Sequence, residues 1–197
     1  MEILPIIYLF YLFFAIYYLS FFLILYFRNK KELFLYPKTN KRYTISVLVP
    51  AFNEEKTIAN TIHAIFASEY PLKEVIVLND GSTDGTRKIV EKLMRRYPRL
   101  KLLNKENSGK ADSLNRGIKM AKGELVAVVD ADSYPAKDSF GKMVGYFDDK
   151  KVGAATCAIV PRNKKRFLKK LQTIEYNVIA FTRKLLGYVD GIYVTPG

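Results

Sequence analysis

The chain has 197 residues, a length typical of one domain, and Lys and Arg outnumber Asp and Glu by 32 to 19. Its only histidine, His63, lies in an apolar helical pattern, which argues against a catalytic triad and a histidine-based zinc centre. The single cysteine, Cys157, cannot form an internal disulfide and agrees with a reducing compartment. The net charge of +13 comes without a recognition motif, so we expect no nucleic-acid partner.

The first feature along the chain is an uncharged apolar segment from Ile3 to Phe27. It is long enough to cross a hydrocarbon core of roughly 30 Å as a helix. A cleavable signal peptide would need a positive n-region and a small-residue cleavage site, whereas only Glu2 precedes the segment and Arg28 follows it. We therefore predict a retained transmembrane anchor over residues 1–28.

Every Lys and Arg of the chain lies after this apolar segment. By the positive-inside rule, the asymmetry places the rest of the chain on the cytoplasmic side of the cell membrane. The cations just after the anchor also favour anionic headgroups, so membrane lipid is a predicted partner, with solvated surface charge as the alternative. Residues 29–43, which mix charge with Pro37 and Asn40, are interpreted as a basic juxtamembrane connector.

Residues 44–197 are predicted to form one α/β domain, because short apolar runs alternate with helical patterns. Strands are predicted at 45–49, 75–78, 100–103 and 125–129, and helices at 54–68, 83–97 and 110–121. Apolar strands separated by helices indicate a parallel sheet that is covered on both faces.

The last part of the domain has a weaker pattern. A helix is predicted over 136–147, a strand over 153–160 and a long helix over 167–186. The long helix begins with basic residues, which suits a helix on a membrane surface, and a core-facing helix explains its apolar residues equally well.

Ligands of open parallel sheets bind at the carboxyl ends of the strands, which directs attention to the residues after each strand. The most informative of these are Asp130 and Asp132, two residues apart at the end of a buried strand. This spacing allows both side chains to face one cation, and carboxylates of this kind suit Mg²⁺ or Mn²⁺. We therefore predict a metal site here, with an Asp-rich capped loop as the alternative.

Two other strand ends carry candidate ligand groups. Asp80 can accept hydrogen bonds from a ribose hydroxyl or a base imide, while residues 82–84 are assigned to turn and helix-cap chemistry. Lys110 begins a predicted helix, where free N–H groups and the helix dipole favour a diphosphate, although a surface lysine is the alternative. Neither a Walker loop nor a Gly-x-Gly-x-x-Gly fingerprint is present at these positions, which argues against a dinucleotide oxidoreductase.

Four ordered segments together resemble the inverting glycosyltransferases of family 2, which have a GT-A fold. The segments are Val-Pro-Ala-Phe-Asn-Glu-Glu at 49–55, Leu-Asn-Asp-Gly-Ser-Thr-Asp-Gly-Thr at 78–86, Asn-Ser-Gly-Lys-Ala-Asp-Ser-Leu-Asn at 107–115 and Val-Asp-Ala-Asp at 129–132. The resemblance implies a UDP-sugar donor and a Mg²⁺ or Mn²⁺ cofactor. It also implies a role for each matching residue: Ala51 and Glu54 near the nucleobase, Asp80 on the uridine, Lys110 at the diphosphate, Asp130 toward the sugar donor and the metal, and Asp132 on the metal.

Within this family, the lysine segment and the apolar amino terminus are most similar to the processive synthases of cellulose, hyaluronan, chitin and poly-N-acetylglucosamine. The similarity implies a membrane-bound enzyme that transfers sugar to a growing polysaccharide. Transfer to a polyprenyl phosphate, which is a lipid-linked acceptor, is one alternative, and a noncatalytic membrane-tethered binding subunit is another.

In these synthases the catalytic base lies in an acidic segment beyond the acceptor-side loop, whose start Thr195, Pro196 and Gly197 resemble. We therefore expect the chain to stop inside the GT-A fold, without the base. Either a downstream polypeptide completes the enzyme, or the chain is a truncated product that binds the donor poorly because the missing strands leave part of the core exposed. Asp190 is the acidic residue nearest to this loop, but it precedes the loop where the family's base follows it.

Overall fold

A computed structural model of the chain describes residues 3–162, 167–189 and 191. The described residues fall into two compact units, one formed by residues 37–153 and the other by the described residues before 37 and after 153.

The unit of residues 37–153 contains the predicted parallel sheet. Its strands are β1 (Ile45–Ala51), β2 (Glu74–Asp80), β3 (Leu100–Lys105) and β4 (Leu125–Val128), in the spatial order β3-β2-β1-β4. All three strand pairings are parallel. The connecting helices are α2 (Ile58–Phe66), α3 (Thr86–Met94) and α4 (Lys110–Met120), and after β4 come α5 (Ser139–Val144) and a 3₁₀ turn (Gly145–Asp148). The α/β architecture, with its parallel sheet, is confirmed.

The two central strands, β1 and β2, are covered on both faces because alternate residues of a strand point in opposite directions. The prediction of a buried fourth strand is wrong for β4, which lies at the edge of the sheet and has Val126 and Val128 41% and 50% exposed. On one face the buried valines of β1 and β2 pack against apolar side chains of α2 and α3. On the other face Leu48, Ile76 and Leu78 pack against Leu114 of α4. Gly117 allows α4 to approach this face closely, since an added Cβ would lie 2.9 Å from Leu78 Cδ1. The parallel pairing of the strands places their carboxyl ends side by side at one edge of the sheet.

The predicted strand over residues 153–160 is wrong. Within the described part of the chain this segment pairs with none of the four strands, and most of its side chains are exposed. A strand is stabilised by hydrogen bonds to a neighbouring strand, so an apolar run without such a partner gains little from extended pairing.

The second unit consists mainly of two helices, α1 (Ile3–Asn29) and α6 (Phe167–Gly187). By length and composition α1 is able to cross a membrane, and nearly all of its side chains are exposed. The end of α6 packs near the end of α1, where Leu25, Leu33 and Leu185 form a buried cluster. The long helix predicted at 167–186 is confirmed.

Candidate functional site

A cavity of about 290 Å³ lies at the carboxyl ends of β1, β2 and β4. Its lining includes every residue predicted for nucleotide or metal binding: Ala51, Glu54, Asp80, Lys110, Asp130 and Asp132. The lining also includes Pro50, Phe52, Ser113 and Ala131, which sequence reasoning did not single out as ligands. Side chains more than 80 positions apart in the chain thus meet because parallel strands end at one edge of the sheet.

Asp80 is the last residue of β2, and its direct neighbour in the sheet is Lys105, the last residue of β3. The two side chains form an ion pair in which Lys105 is only 3% exposed and Asp80 only 8%. The backbone N–H groups of Ser108 and Gly109 also donate to the Asp80 carboxylate, each at 2.9 Å. Burial acts to raise the pKa of Asp80, but the Lys105 ammonium and the two N–H groups outweigh it and hold the pKa below its ordinary value.

Lys105 also organises the loop that follows it. Its ammonium donates to the carbonyl of Glu106 at 2.9 Å and lies 3.5 Å from Asp112 Oδ2 in the first turn of α4. The Ser108 hydroxyl donates to the same Asp112 carboxylate. The loop of residues 106–109 is therefore held by the Lys105 ammonium at its start and by the Asp112 carboxylate near its end.

Gly81 explains how this loop can lie so close to the end of β2. It has φ +70°, and a Cβ at this position would stand 2.6 Å from the backbone nitrogen of Asn107. Any larger residue would push the loop away from Asp80, so the Gly81 position needs glycine for both conformation and space.

A second set of hydrogen bonds joins the loop after β1 to the loop after β2. The Glu54 N–H donates to Thr86 Oγ1 at 2.8 Å, and the Gly85 N–H donates to Glu55 Oε2 at 2.8 Å. Asp84 accepts from the Thr86 N–H at 2.9 Å and also from the Glu55 N–H at 3.1 Å. The N-cap position of α3 is Gly85, so Asp84 does not cap the helix but stabilises the turn before it and fixes the loop that carries Glu54.

The segment of Asp130, Ala131 and Asp132 is held by its middle residue. Ala131 is buried, and its carbonyl accepts a hydrogen bond of 2.7 Å from the Thr61 hydroxyl of α2. The two flanking aspartates line the cavity, and Asp130 forms an ion pair of 2.7 Å with Lys110. Both members of that pair are about half exposed, at 55% for Lys110 and 50% for Asp130.

The donor groups of this segment fit a divalent cation that is shared with a substrate. Mg²⁺ is usually held by one or two carboxylates together with phosphate oxygens and water. In the described ranges there is no group of three or more His, Cys, Asp or Glu side chains placed to hold a metal ion. Two carboxylates at the cavity therefore suit a Mg²⁺ or Mn²⁺ ion that takes its other ligands from a bound diphosphate.

The residues predicted for the acceptor side, Thr195, Pro196 and Gly197, lie outside the described residues, as does Asp190.

Comparison with known proteins identifies relatives of this sheet and cavity. The model of glycosyl transferase family 2 matches residues 46–196, more than half of the chain. The poly-beta-1,6-N-acetyl-D-glucosamine synthase of Staphylococcus aureus strain COL is 39% identical over 133 residues, which cover 67% of this chain and 32% of that protein. The Staphylococcus epidermidis protein of the same name is 40% identical over 134 residues, again 67% of this chain and 32% of the relative. The chain spans about a third of the length of these curated relatives.

Two solved structures share the fold. The mannosyltransferase PcManGT from Pyrobaculum calidifontis, in complex with GDP-Man and Mn²⁺, is 34% identical with a TM-score of 0.60, over 74% of this chain and 45% of that one. TarS 1-349 of S. aureus, in complex with UDP-GlcNAc, is 31% identical with a TM-score of 0.50, over 58% of this chain and 36% of that one.

Proposed function

Because the chain belongs to the family 2 glycosyltransferases and has their GT-A fold, we propose that its cavity binds a UDP-sugar for transfer to a growing polysaccharide. The observation that carries this proposal is the convergence of Asp80, Lys110, Asp130 and Asp132 in one cavity from three separate segments. UDP-N-acetylglucosamine is the donor to test first, since TarS was solved with it and two relatives are named as synthases of its polymer.

The nucleoside end of the donor lies between β1 and β2 in this proposal. An ionised carboxylate has about four acceptor positions, and Asp80 uses three of them on donors of its own chain. The fourth, on Oδ2, accepts the imide N–H of uracil. Phe52 is half exposed at the cavity and offers an aromatic face to the base, beside Ala51 and Glu54.

The diphosphate end lies at Lys110, the first residue of α4. Because the Lys110–Asp130 pair is half exposed, it contributes only about 0–1 kcal/mol to stability. A bound diphosphate can therefore replace Asp130 as the partner of the Lys110 ammonium with only a small loss of free energy. Asp130 and Asp132 would hold a Mg²⁺ or Mn²⁺ ion, which would stabilise the charge of the departing UDP.

In these assignments each of the three cavity aspartates acts on the donor. Asp80 would bind and orient the base, Lys110 would neutralise part of the diphosphate charge, and Asp130 and Asp132 would hold the cation that neutralises the rest. Inverting transfer also needs a general base at the acceptor hydroxyl. In this proposal none of the three aspartates supplies it.

The apolar helix α1 of the second unit supports a proposal about where the enzyme is located. We infer that α1 anchors the chain in the cell membrane with the glycosyltransferase domain in the cytoplasm, which is supported by cations that all follow the apolar segment. Membrane lipid is the proposed partner of α6, where Leu168, Ile174 and Val178 are exposed and Lys169 and Lys170 supply positive charge.

Calorimetry tests the donor and metal assignments together. Purified chain in nanodiscs should bind UDP with Mn²⁺ and lose at least about tenfold in affinity with a chelator or in Asp132→Ala, because a carboxylate ligand of the ion is gone. Glu91→Ala is the control, since Glu91 lies on the exposed side of α3 in a surface pair with Arg87. Equal affinity with Mn²⁺ and with chelator would contradict the metal assignment, and a preference for GDP would contradict the uridine assignment.

A further inference from the structure

Lys105 is a buried cation that the proposed reaction does not use. Its side chain is 3% exposed, and it ends β3 directly beside Asp80 in the sheet. Desolvating an ammonium group is costly unless it is paired, and here the pairing comes from two carboxylates, those of Asp80 and Asp112. The position of this lysine is therefore tied to both.

Asp80 has few ways to hold its orientation without this lysine. Oδ1 accepts from the Lys105 ammonium and the Ser108 N–H, while Oδ2 accepts only from the Gly109 N–H. Removing the ammonium would leave a buried carboxylate bound only by N–H groups of the loop that Lys105 itself holds through Glu106 and Asp112. Loss of the cation would loosen the carboxylate and the loop together.

We propose that Lys105 is a positioning residue for nucleotide binding. It fixes Asp80 so that one acceptor position on Oδ2 stays available, and it holds residues 106–109 so that Lys110 enters α4 at the cavity. This inference rests on the proposed function, because the ligand it serves is the nucleoside diphosphate.

A second ion pair joins the same two strands away from the cavity, and it serves as a comparison for the Lys105–Asp80 pair. Glu74 begins β2 and is buried, and it accepts from Lys101 at 2.5 Å, from the Ser46 hydroxyl at 2.8 Å and from the Lys122 N–H at 2.7 Å. Glu74 and Lys101 are absent from the cavity lining. Lys101→Met is therefore the matched control, since it removes a strand β3 lysine from a buried carboxylate at a distance from the ligand.

The experiment measures UDP affinity by calorimetry and hydrogen exchange of residues 106–109 in the full chain in nanodiscs. Lys105→Met should weaken UDP binding about tenfold, equal to about 1.4 kcal/mol, and should speed exchange in the loop. Lys105→Arg keeps the charge and should restore affinity to within about threefold of the unmodified chain. Lys101→Met should lower the melting temperature but leave both readouts as they are.

The outcomes separate this inference from the proposed function. Unchanged UDP affinity in Lys105→Met would overturn the positioning role and leave the donor assignment standing. If the unmodified chain has no affinity for UDP, the proposed function fails, and the exchange readout still decides whether Lys105 holds the loop. If Lys105→Met does not fold, Asp112→Asn takes its place, and it should weaken UDP binding about two- to fivefold with faster loop exchange. Wild-type values for both readouts in that variant would overturn the inference.

Discussion

Replacing Asp80 by Asn tests the electrostatics of the buried pair most directly. The change keeps the shape of the side chain but leaves the Lys105 ammonium, 3% exposed, with Asp112 at 3.5 Å as its remaining carboxylate. Breaking a buried ion pair from one side typically costs about 3–5 kcal/mol. The Asn amide nitrogen cannot accept, so one of the donors that Asp80 binds also loses its acceptor. Partial compensation by Asp112 makes about 3 kcal/mol the expected loss, a large part of a typical stability of 5–15 kcal/mol.

The pH dependence of this loss is what identifies the charge as its cause. Because the folded pKa of Asp80 is lowered, its contribution is complete above the unfolded value of about 3.9 and disappears as the pH falls through the folded pKa. Urea unfolding of the full chain in detergent, followed by circular dichroism at pH 7, 5, 4 and 3, should show the two proteins converging below about pH 4. Asp149→Asn, at an exposed loop position, is the control and should change stability by less than about 0.5 kcal/mol. A loss below about 1 kcal/mol at pH 7, or one that persists unchanged to pH 3, would refute the reasoning.

Three further expectations concern packing, a distant ion pair and topology. Gly117→Ala should cost about 1–2 kcal/mol in urea unfolding despite the better helix propensity of alanine, because its Cβ would lie 2.9–3.1 Å from Leu78 and Leu48; a stabilised variant would contradict this. Glu74→Gln should lower the free energy of unfolding by about 2 kcal/mol, since it leaves Lys101 without its carboxylate. UDP affinity in calorimetry should stay unchanged. Weaker UDP binding would show that loss of the Glu74–Lys101 pair disturbs the cavity. Protease added outside sealed spheroplasts should leave the domain after α1 intact, and its digestion would reverse the proposed orientation.

The parts of the fold that the sequence predicted well are those in which one local pattern decides the outcome. The run Val75–Leu78 is apolar at every position and the run Ile45–Val49 is apolar except for Ser46, and each proves to be a central strand buried on both faces. Once the parallel sheet is predicted, the residues after each strand fall at a common edge, and the cavity lining follows from that rule. The helix starts are less accurate: α2 begins at Ile58 rather than at Glu54, and α3 begins at Thr86 rather than at Thr83.

The features that the sequence did not predict depend on the register of the sheet, that is, on which residues of neighbouring strands lie side by side. Lys105 comes just after the strand predicted at 100–103, in a chain with 32 Lys and Arg residues, so nothing local distinguishes it from a surface cation. Its importance appears only when β2 and β3 are aligned so that Asp80 and Lys105 are direct partners. The wrong strand over residues 153–160 has the same origin, since an apolar run predicts a strand only where another strand is available to pair with it.

The two lysine–aspartate pairs of the site differ in the one property that decides whether a pair is permanent. Lys105 and Asp80 are 3% and 8% exposed, so water cannot replace either partner and separation leaves an uncompensated buried charge. Lys110 and Asp130 are 55% and 50% exposed, so each is solvated when the pair opens and the cost of exchange is small. The proposed nucleoside end is therefore rigid before any ligand arrives, while the proposed diphosphate end holds its charges in a pair that a phosphate and a cation can replace. A nucleoside diphosphate would meet a fixed group at its base and exchangeable groups at its phosphates, so base recognition is set by the fold and charge neutralisation is completed by the ligand itself.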